Sequence, residues 1–169
     1  MKTREWMTRQ VETCTPEADL SHASMIMWRR DCGIVPVVDD SNKLVGVVTD
    51  RDICMAVATR HIPPEQVKVR DVMSTALYTC QPDDDVATAL GTMRRRQVRR
   101  LPVVGDDDRV AGVLSLADVI RNTGKSDGRS KQAVTSQEVM DTLRDIETPR
   151  PAGKPLDAGR TVMSEVRPS

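Results

Sequence analysis

The chain repeats itself, and this limits its possible folds more than any other feature. Laying residues 2–54 on residues 68–120 without a gap gives 18 identities in 53 positions, at a constant offset of 66 residues. Arg4 meets Arg70, Met7 meets Met73, Thr13-Cys14 meets Thr79-Cys80, and Pro16 meets Pro82. Pro36-Val-Val meets Pro102-Val-Val, Gly46-Val meets Gly112-Val, and Asp52 meets Asp118. Two copies of one unit is the economical explanation. A copy has only about 50 residues, marginal for an independent core, so the copies should pack on each other. The expected division of the 169 residues is repeat one over 1–60, a linker over 61–69, repeat two over 70–122, and a C-terminal segment over 123–169.

Within a copy the signals predict strand, helix, strand, strand, helix. Val11–Cys14 and Leu77–Cys80 read as short strands. Pro16 or Pro82 then fits the first turn of a helix, with Glu17 and Asp19, or Asp83 to Asp85, favouring its positive end. The inward stripe of that helix is expected at Leu20, Ala23 and Met27, and at Val86, Ala89, Leu90 and Met93. Ile34–Val38 and Leu44–Val48 are β-branched runs separated by turn chemistry at Asp39–Lys43, and Gly105–Asp108 plays the same part in copy two. A second helix starts near Asp50 or Leu116. The fold class implied is α+β, a mixed helix-and-strand chain of tandem β-α-β-β-α repeats.

Composition removes several function classes. Lys plus Arg equals Asp plus Glu at 25 each, which lacks the basic excess of a general nucleic-acid binder. The aromatics are Trp6, Trp28 and Tyr78, with no Phe, so a planar ligand must lie against aliphatic walls. The N-terminus lacks an apolar h-region and no stretch is long and apolar enough to span a membrane, so a cytoplasmic location is expected. Cys14, Cys32, Cys54 and Cys80 are too widely spaced for paired metal ligands, and His22 and His61 stand alone; reduced thiols are expected and no metal site.

Each copy carries Gly-Val-x-(Thr/Ser)-x-x-Asp where a strand meets a helix: Gly46 to Asp52 and Gly112 to Asp118. A single occurrence is explained by a helix capping box, in which a hydroxyl and an acid three residues on satisfy orphan amides. The context argues for more, since the motif recurs at the same place in a duplicated unit, each time after a Pro-Val-Val strand and a turn. Together with Arg-x-Val-Met-Ser at 70–74, Val-Arg-Arg-Leu-Pro-Val-Val at 98–104 and Thr-Asp-Arg-Asp at 49–52, it resembles the tandem cystathionine-β-synthase (CBS) domain pair, or Bateman module, over residues 1–122.

The resemblance implies two repeats packed about a pseudo-two-fold axis, with clefts for an adenosyl ligand: AMP, ADP, ATP, NAD or S-adenosylmethionine. Such a ligand would be regulatory, with no catalytic cofactor and no enzyme activity, in a homodimer that signals to an effector protein. By resemblance, Asp52 and Asp118 would hold the ribose hydroxyls, and Thr49 and Ser115 the phosphate side. Adenine would lie against Leu101, Pro102 and Tyr78, Thr79 and Cys80, or against Ile34, Pro36 and Thr13. The chemistry suits these roles, because a carboxylate accepts from both hydroxyls of a cis-diol and a hydroxyl beside free helix N–H groups favours an anion.

The two sites should differ. Copy two has five arginines in Arg94–Arg100, where copy one has only Arg29-Arg30 before Asp31-Cys-Gly. A solvated helix end accounts for Arg94 to Arg96. Arg99 and Arg100 directly precede the Leu101–Val104 strand and suit a phosphate, whereas copy one has Gly33 and Ile34 there. The Asp118 cleft is therefore expected to be the better phosphate site.

Two other classes compete with this reading: a ligand-free protein-interaction module, and a nucleic-acid binder using the Arg94–Arg100 run. The acidic turn Asp106–Asp108 and the missing aromatic interleaving speak against the latter. Gly124-Lys125-Ser126 imitates a P-loop end, but position 119 is Val where a glycine is needed, and Gly124 is expected to end a helix instead. Beyond a linker over 122–130, Ser136 to Ile146 reads as an amphipathic helix with Val139, Met140, Leu143 and Ile146 on one side, packed on the module or on a second subunit. An irregular tail follows from Thr148.

Overall fold

The computed structural model describes residues 1–123 and 134–149. The elements are α1 (Thr3–Trp6), α2 (Leu20–Arg30), β1 (Ile34–Val38), β2 (Leu44–Thr49), α3 (Asp50–Arg60), α4 (Val86–Arg96), β3 (Arg100–Val104), β4 (Val110–Ser115), α5 (Leu116–Asn122) and α6 (Ser136–Glu147). β1 pairs with β2 and β3 with β4, giving two small sheets in a mixed helix-and-strand fold. The duplication reaches the backbone. Asp31 and Gln97 both end their helices with positive φ, and Asn42 and Asp108 both take positive φ in the hairpin turns, a conformation that Asn and Asp tolerate well.

The residues form two compact units that interleave along the sequence. One holds Glu12–Ser41 and Val45–Leu77; the other holds Met1–Val11, Asn42–Leu44 and residues 78–123 and 134–149. Each sheet gains a one-residue bridge on either side. In the first unit Cys14 pairs with Val37 and Ser74 with Val47; in the second, Cys80 pairs with Val103 and Thr8 with Val113. The lead-in segment Thr3–Thr8 thus serves the second unit, and Val69–Ser74 does the equivalent work in the first. Arg4 N donates to Pro82 O at 2.9 Å, and Arg70 N donates to Pro16 O at 3.0 Å. Two exposed ion pairs, Arg4 with Asp83 and Arg70 with Glu17, repeat the correspondence.

Each lead-in crosses its sheet at a glycine, and at Gly112 the crossing backbone leaves no room for a side chain. A Cβ on Gly112 would fall 2.4 Å from the Thr8 carbonyl oxygen, and one on Gly46 would fall 2.6 Å from Met73 Sδ. Each unit has its own apolar core, aliphatic but for Trp6 in the second. Leu20, Ile26, Val35, Val37, Val48 and Val69 centre the first, and Trp6, Val86, Met93, Leu101, Leu114 and Val119 centre the second. The expected stripes of α2 and α4 are buried, with Ile26 added.

Three expectations need correction. The segments ending at Cys14 and Cys80 are single bridges rather than strands, because extending either ladder needs an N–H from Pro36 or Pro102, which prolines lack. Pro16 and Pro82 lie outside the helices, which start at Leu20 and Val86 behind the N-caps Asp19 and Asp85. Asp19 accepts from His22 N at 2.8 Å, so the acid rather than the proline defines that start. Met140 is exposed, and Thr142 is buried in its place as the stripe runs Val139, Thr142, Leu143 and Ile146. The helix is docked on α4 and α5. The expectations for Gly124, the 122–130 linker beyond Thr123 and the tail beyond Pro149 lie outside the described residues.

Candidate functional site

Both hydroxyl–carboxylate motifs stand where a strand becomes a helix, and both form complete capping boxes. Ser115 caps α5: its N–H donates to Asp118 Oδ2 at 2.9 Å, and its Oγ accepts from Asp118 N at 3.1 Å and donates to the same Oδ2. Thr49 caps α3 likewise, with Thr49 N to Asp52 Oδ2 at 2.9 Å, Thr49 Oγ1 to Oδ2 at 2.6 Å, and Asp52 N to Thr49 Oγ1 at 3.2 Å. Capping therefore uses one oxygen of each carboxylate twice and leaves the other to further chemistry.

The second oxygens differ. Asp118 is only 5% exposed, and its Oδ1 accepts from the Arg121 guanidinium one turn further along α5. At the matching position of α3 stands Met55, and among the described residues nothing donates to Asp52 Oδ1. A carboxylate offers about four acceptor positions, so Asp118 retains about one and Asp52 about two. Sequence reasoning missed Arg121. The signal was present, since an acid and an arginine three apart on a helix face each other.

The remaining residues of the second site are contiguous. Leu116 N donates to Arg99 O at 2.8 Å, and Arg100 lies opposite Ser115 in the β3–β4 register. Cys80 N donates to Pro102 O at 3.2 Å, which draws Tyr78, Thr79 and Cys80 alongside β3. Leu101 and Cys80 belong to the buried core, Pro102 is buried, and Tyr78 and Thr79 are half-buried. The Arg96 guanidinium sits 4.8 Å over the Tyr78 ring, a cation–π contact that covers one ring face. In the first unit Cys14 N donates to Pro36 O at 3.1 Å, Ile34 and Pro36 are buried, and Thr13 is half-buried.

The thiols beside these segments are neutral. Burial pushes the Cys14 thiol up to about 11. Burial, helped by the Asp84 carboxylate and opposed by a hydrogen bond with Thr3, pushes Cys80 up to about 12. Neither is a nucleophile near neutral pH.

The Arg94–Arg100 run is engaged within the chain. Arg94 pairs with Asp145 and Arg99 with Glu147, both acids in the last turn of α6. Gln97 Nε2 donates to the carbonyls of Asp145 at 3.1 Å and Thr148 at 3.3 Å. Beside these contacts lies a surface cavity of about 390 Å³ lined by Arg94, Arg95, Gln97, Asp145 and Thr148. Arg100 is half-buried and pairs with no acid among the described residues. The acids of α6 were not foreseen as partners of the arginines, because an amphipathic helix shows its apolar face in sequence but not the surface on which that face docks.

Comparison with known proteins places this architecture. The family model "CBS domain" matches twice, over residues 4–59 and 69–124. The chain belongs to the CBS domain family and carries a tandem pair of these domains. It is similar to CBS domain-containing protein YhcV of Bacillus subtilis, at 32% identity over 138 residues, 80% of this chain and 96% of that protein. It also matches inosine-5'-monophosphate dehydrogenase of Methanocaldococcus jannaschii at 32% identity over 120 residues, but spans only 23% of that enzyme's length. Among solved structures, the CBS domain pair of protein MJ0100, in complex with 5'-methylthioadenosine and S-adenosyl-L-methionine, superposes with a TM-score of 0.68 at 24% identity, covering 74% of this chain and 97% of that one. CBSX2 in complex with AMP superposes with a TM-score of 0.60 at 25% identity, covering 71% and 93%.

Proposed function

We propose that this chain is a regulatory module that binds an adenosyl ligand at the Ser115–Asp118 and Thr49–Asp52 motifs and passes the binding energy on as a change in association with an effector protein. The observation that carries the reading is the recurrence of one hydroxyl–carboxylate pair at equivalent strand-to-helix joints, each leaving acceptor capacity on an aspartate beside a proline-walled strand. A CBS domain structure holding AMP and another holding S-adenosylmethionine support the ligand class. The candidates are AMP, ADP, ATP, NAD and S-adenosylmethionine.

The sites divide the work by chemistry. Asp52, with two acceptor positions and no arginine bonded to its carboxylate among the described residues, suits a ribose diol and depends little on phosphate. The Asp118 site, with Arg99 and Arg100 at its edge, suits the phosphate-bearing ligand. On this reading the chain has no catalytic activity of its own, works in the cytoplasm and forms a homodimer. The apolar side chains of Met25, Trp28 and Met55, exposed on α2 and α3, support self-association. Nucleic-acid binding fits less well, because Arg94 and Arg99 already hold acids.

A thermal-shift panel of the five ligands tests the reading. Ligand at a hundredfold excess over its dissociation constant adds about 2.7 kcal/mol, a rise of roughly 5–10 °C for a chain of this size. Asp118→Ala should cut the response to ATP or AMP to what the Thr49–Asp52 site supplies. No response to any of the five would leave the ligand-free interaction module as the better account.

A further inference from the structure

Helix α6 brings its own anions to the arginine edge. The body of α6 is held by apolar contacts, with Val139 buried and Leu143 and Ile146 packed on the core that contains Val86 and Met93. Its last turn flanks Ile146 with polar groups. There Asp145 meets Arg94, Glu147 meets Arg99, and the Asp145 and Thr148 carbonyls accept from Gln97. A helix C-terminus carries a negative dipole end, so side chains and backbone together present concentrated negative character to the arginines.

The same arginine stretch is tied to the motif. The Arg99 carbonyl holds Leu116 N, the first amide of α5, while the Arg99 side chain reaches Glu147. We infer that Asp145 and Glu147 act as an in-chain competitor for the phosphates of a nucleotide, so that the end of α6 sets how strongly phosphate number counts at the Ser115–Asp118 site. The inference rests on the nucleotide reading given above.

The competition is weak enough to be reversible. Arg99 and Glu147 are 58% and 50% exposed, and Arg94 and Asp145 are 55% and 40% exposed, the range in which an ion pair contributes little. A di- or triphosphate offers the planar guanidinium more charge and more acceptor oxygens than one carboxylate. Because Val139, Leu143 and Ile146 anchor α6, the exposed Glu147 side chain can release Arg99 by rotating away without undocking the helix. The cavity beside Arg94 and Arg95 gives displaced side chains room. The first unit cannot work this way, since Trp28 and Gly33 stand where Arg94 and Arg99 stand in the second.

Calorimetry on the full chain tests this with adenosine, AMP and ATP, comparing the parent with Asp145→Asn/Glu147→Gln, Arg99→Ala and Arg99→Ala/Glu147→Gln. Relief of two exposed pairs should tighten ATP binding about three- to thirtyfold, AMP less, and adenosine not at all. In the Arg99→Ala background, Glu147→Gln should have no further effect. The amide substitutions keep side-chain shape, and unchanged helix content by circular dichroism confirms that α6 stays folded. If ATP binds but the ratio of ATP to adenosine affinity is the same with and without the acids, the competition is refuted and the nucleotide reading stands. If no adenosine compound binds any variant, the nucleotide reading falls and the competition falls with it.

Discussion

Replacing Gly112 by Ala adds one methyl group at the point where the lead-in segment crosses β4. That Cβ would sit 2.4 Å from Thr8 O and 3.1 Å from Met7 Sδ, and the nearer atom is backbone. A carbon–oxygen contact is comfortable near about 3.3 Å, so the Met7–Thr8 backbone must retreat by roughly 1 Å. Such a retreat breaks Thr8 N to Val113 O at 2.9 Å and Val113 N to Thr8 O at 3.0 Å. Two hydrogen bonds at about 0.5–1.5 kcal/mol each, less the roughly 0.5–1 kcal/mol that alanine gains over glycine in a strand, leave a net loss of up to about 2.5 kcal/mol, centred between about 1 and 2 kcal/mol. For a chain of this length the melting temperature should fall by about 2–8 °C.

Gly46→Ala is the internal control. Its closest contact, at 2.6 Å, is the flexible end of Met73, and the Ser74 carbonyl stands 3.3 Å away. Met73 can rotate aside, so the change in stability should lie within about 1 kcal/mol of zero. Urea unfolding followed by tryptophan fluorescence reads the difference, because buried Trp6 lies in α1, just before Met7 and Thr8. Equal effects of the two substitutions, or a Gly112→Ala protein as stable as the parent, would refute the assignment of these glycines to lead-in crossing.

The buried thiols make stability depend on alkaline pH. Unfolded thiols ionise near 9.0, whereas Cys14 is raised to about 11 and Cys80 to about 12, so their contribution is complete below pH 9 and is lost as pH climbs from about 9 to 12. Urea midpoints measured across that range should fall more steeply for the parent than for Cys14→Ala/Cys80→Ala, and equal slopes would contradict the assignment. Homodimer formation through α2 and α3 predicts that Trp28, 84% exposed in the chain, becomes shielded from acrylamide as concentration rises. Trp28→Ser should then sediment as a monomer; a parent that is monomeric at every concentration would count against that face.

Much of the fold is legible in the sequence because the duplication doubles each weak signal. The hairpins, the stripes of α2 and α4, and the helix starts after Thr49 and Ser115 all follow from local chemistry read twice. What eluded the sequence depends on distant partners. That Met1–Val11 serves the unit built on residues 78–123 cannot be inferred from its own residues, since an amphipathic lead-in shows only that something must cover it. The failed strands at Cys14 and Cys80 have a readable cause in hindsight, because Pro36 and Pro102 sit in the neighbouring strand and deny the ladder its next donor.

The site divides along the same line. Hydroxyl–carboxylate spacing predicts the capping box because both partners lie within one helical turn. It does not reveal how much acceptor capacity survives capping, which turns on a third residue in each copy: Arg121 on α5 and Met55 on α3. Two motifs that align residue for residue therefore carry different chemistry, one aspartate already holding a cation and the other with an unused oxygen. The helix that neutralises Arg94 and Arg99 widens the difference, because among the described residues no acid is paired at the matching positions of the first unit, Trp28 and Gly33. The asymmetry thus comes from substitutions around the repeated motif, and a ligand can distinguish the two sites by its charge, through Arg99, as well as by its ribose, through the acceptor capacity left on each aspartate.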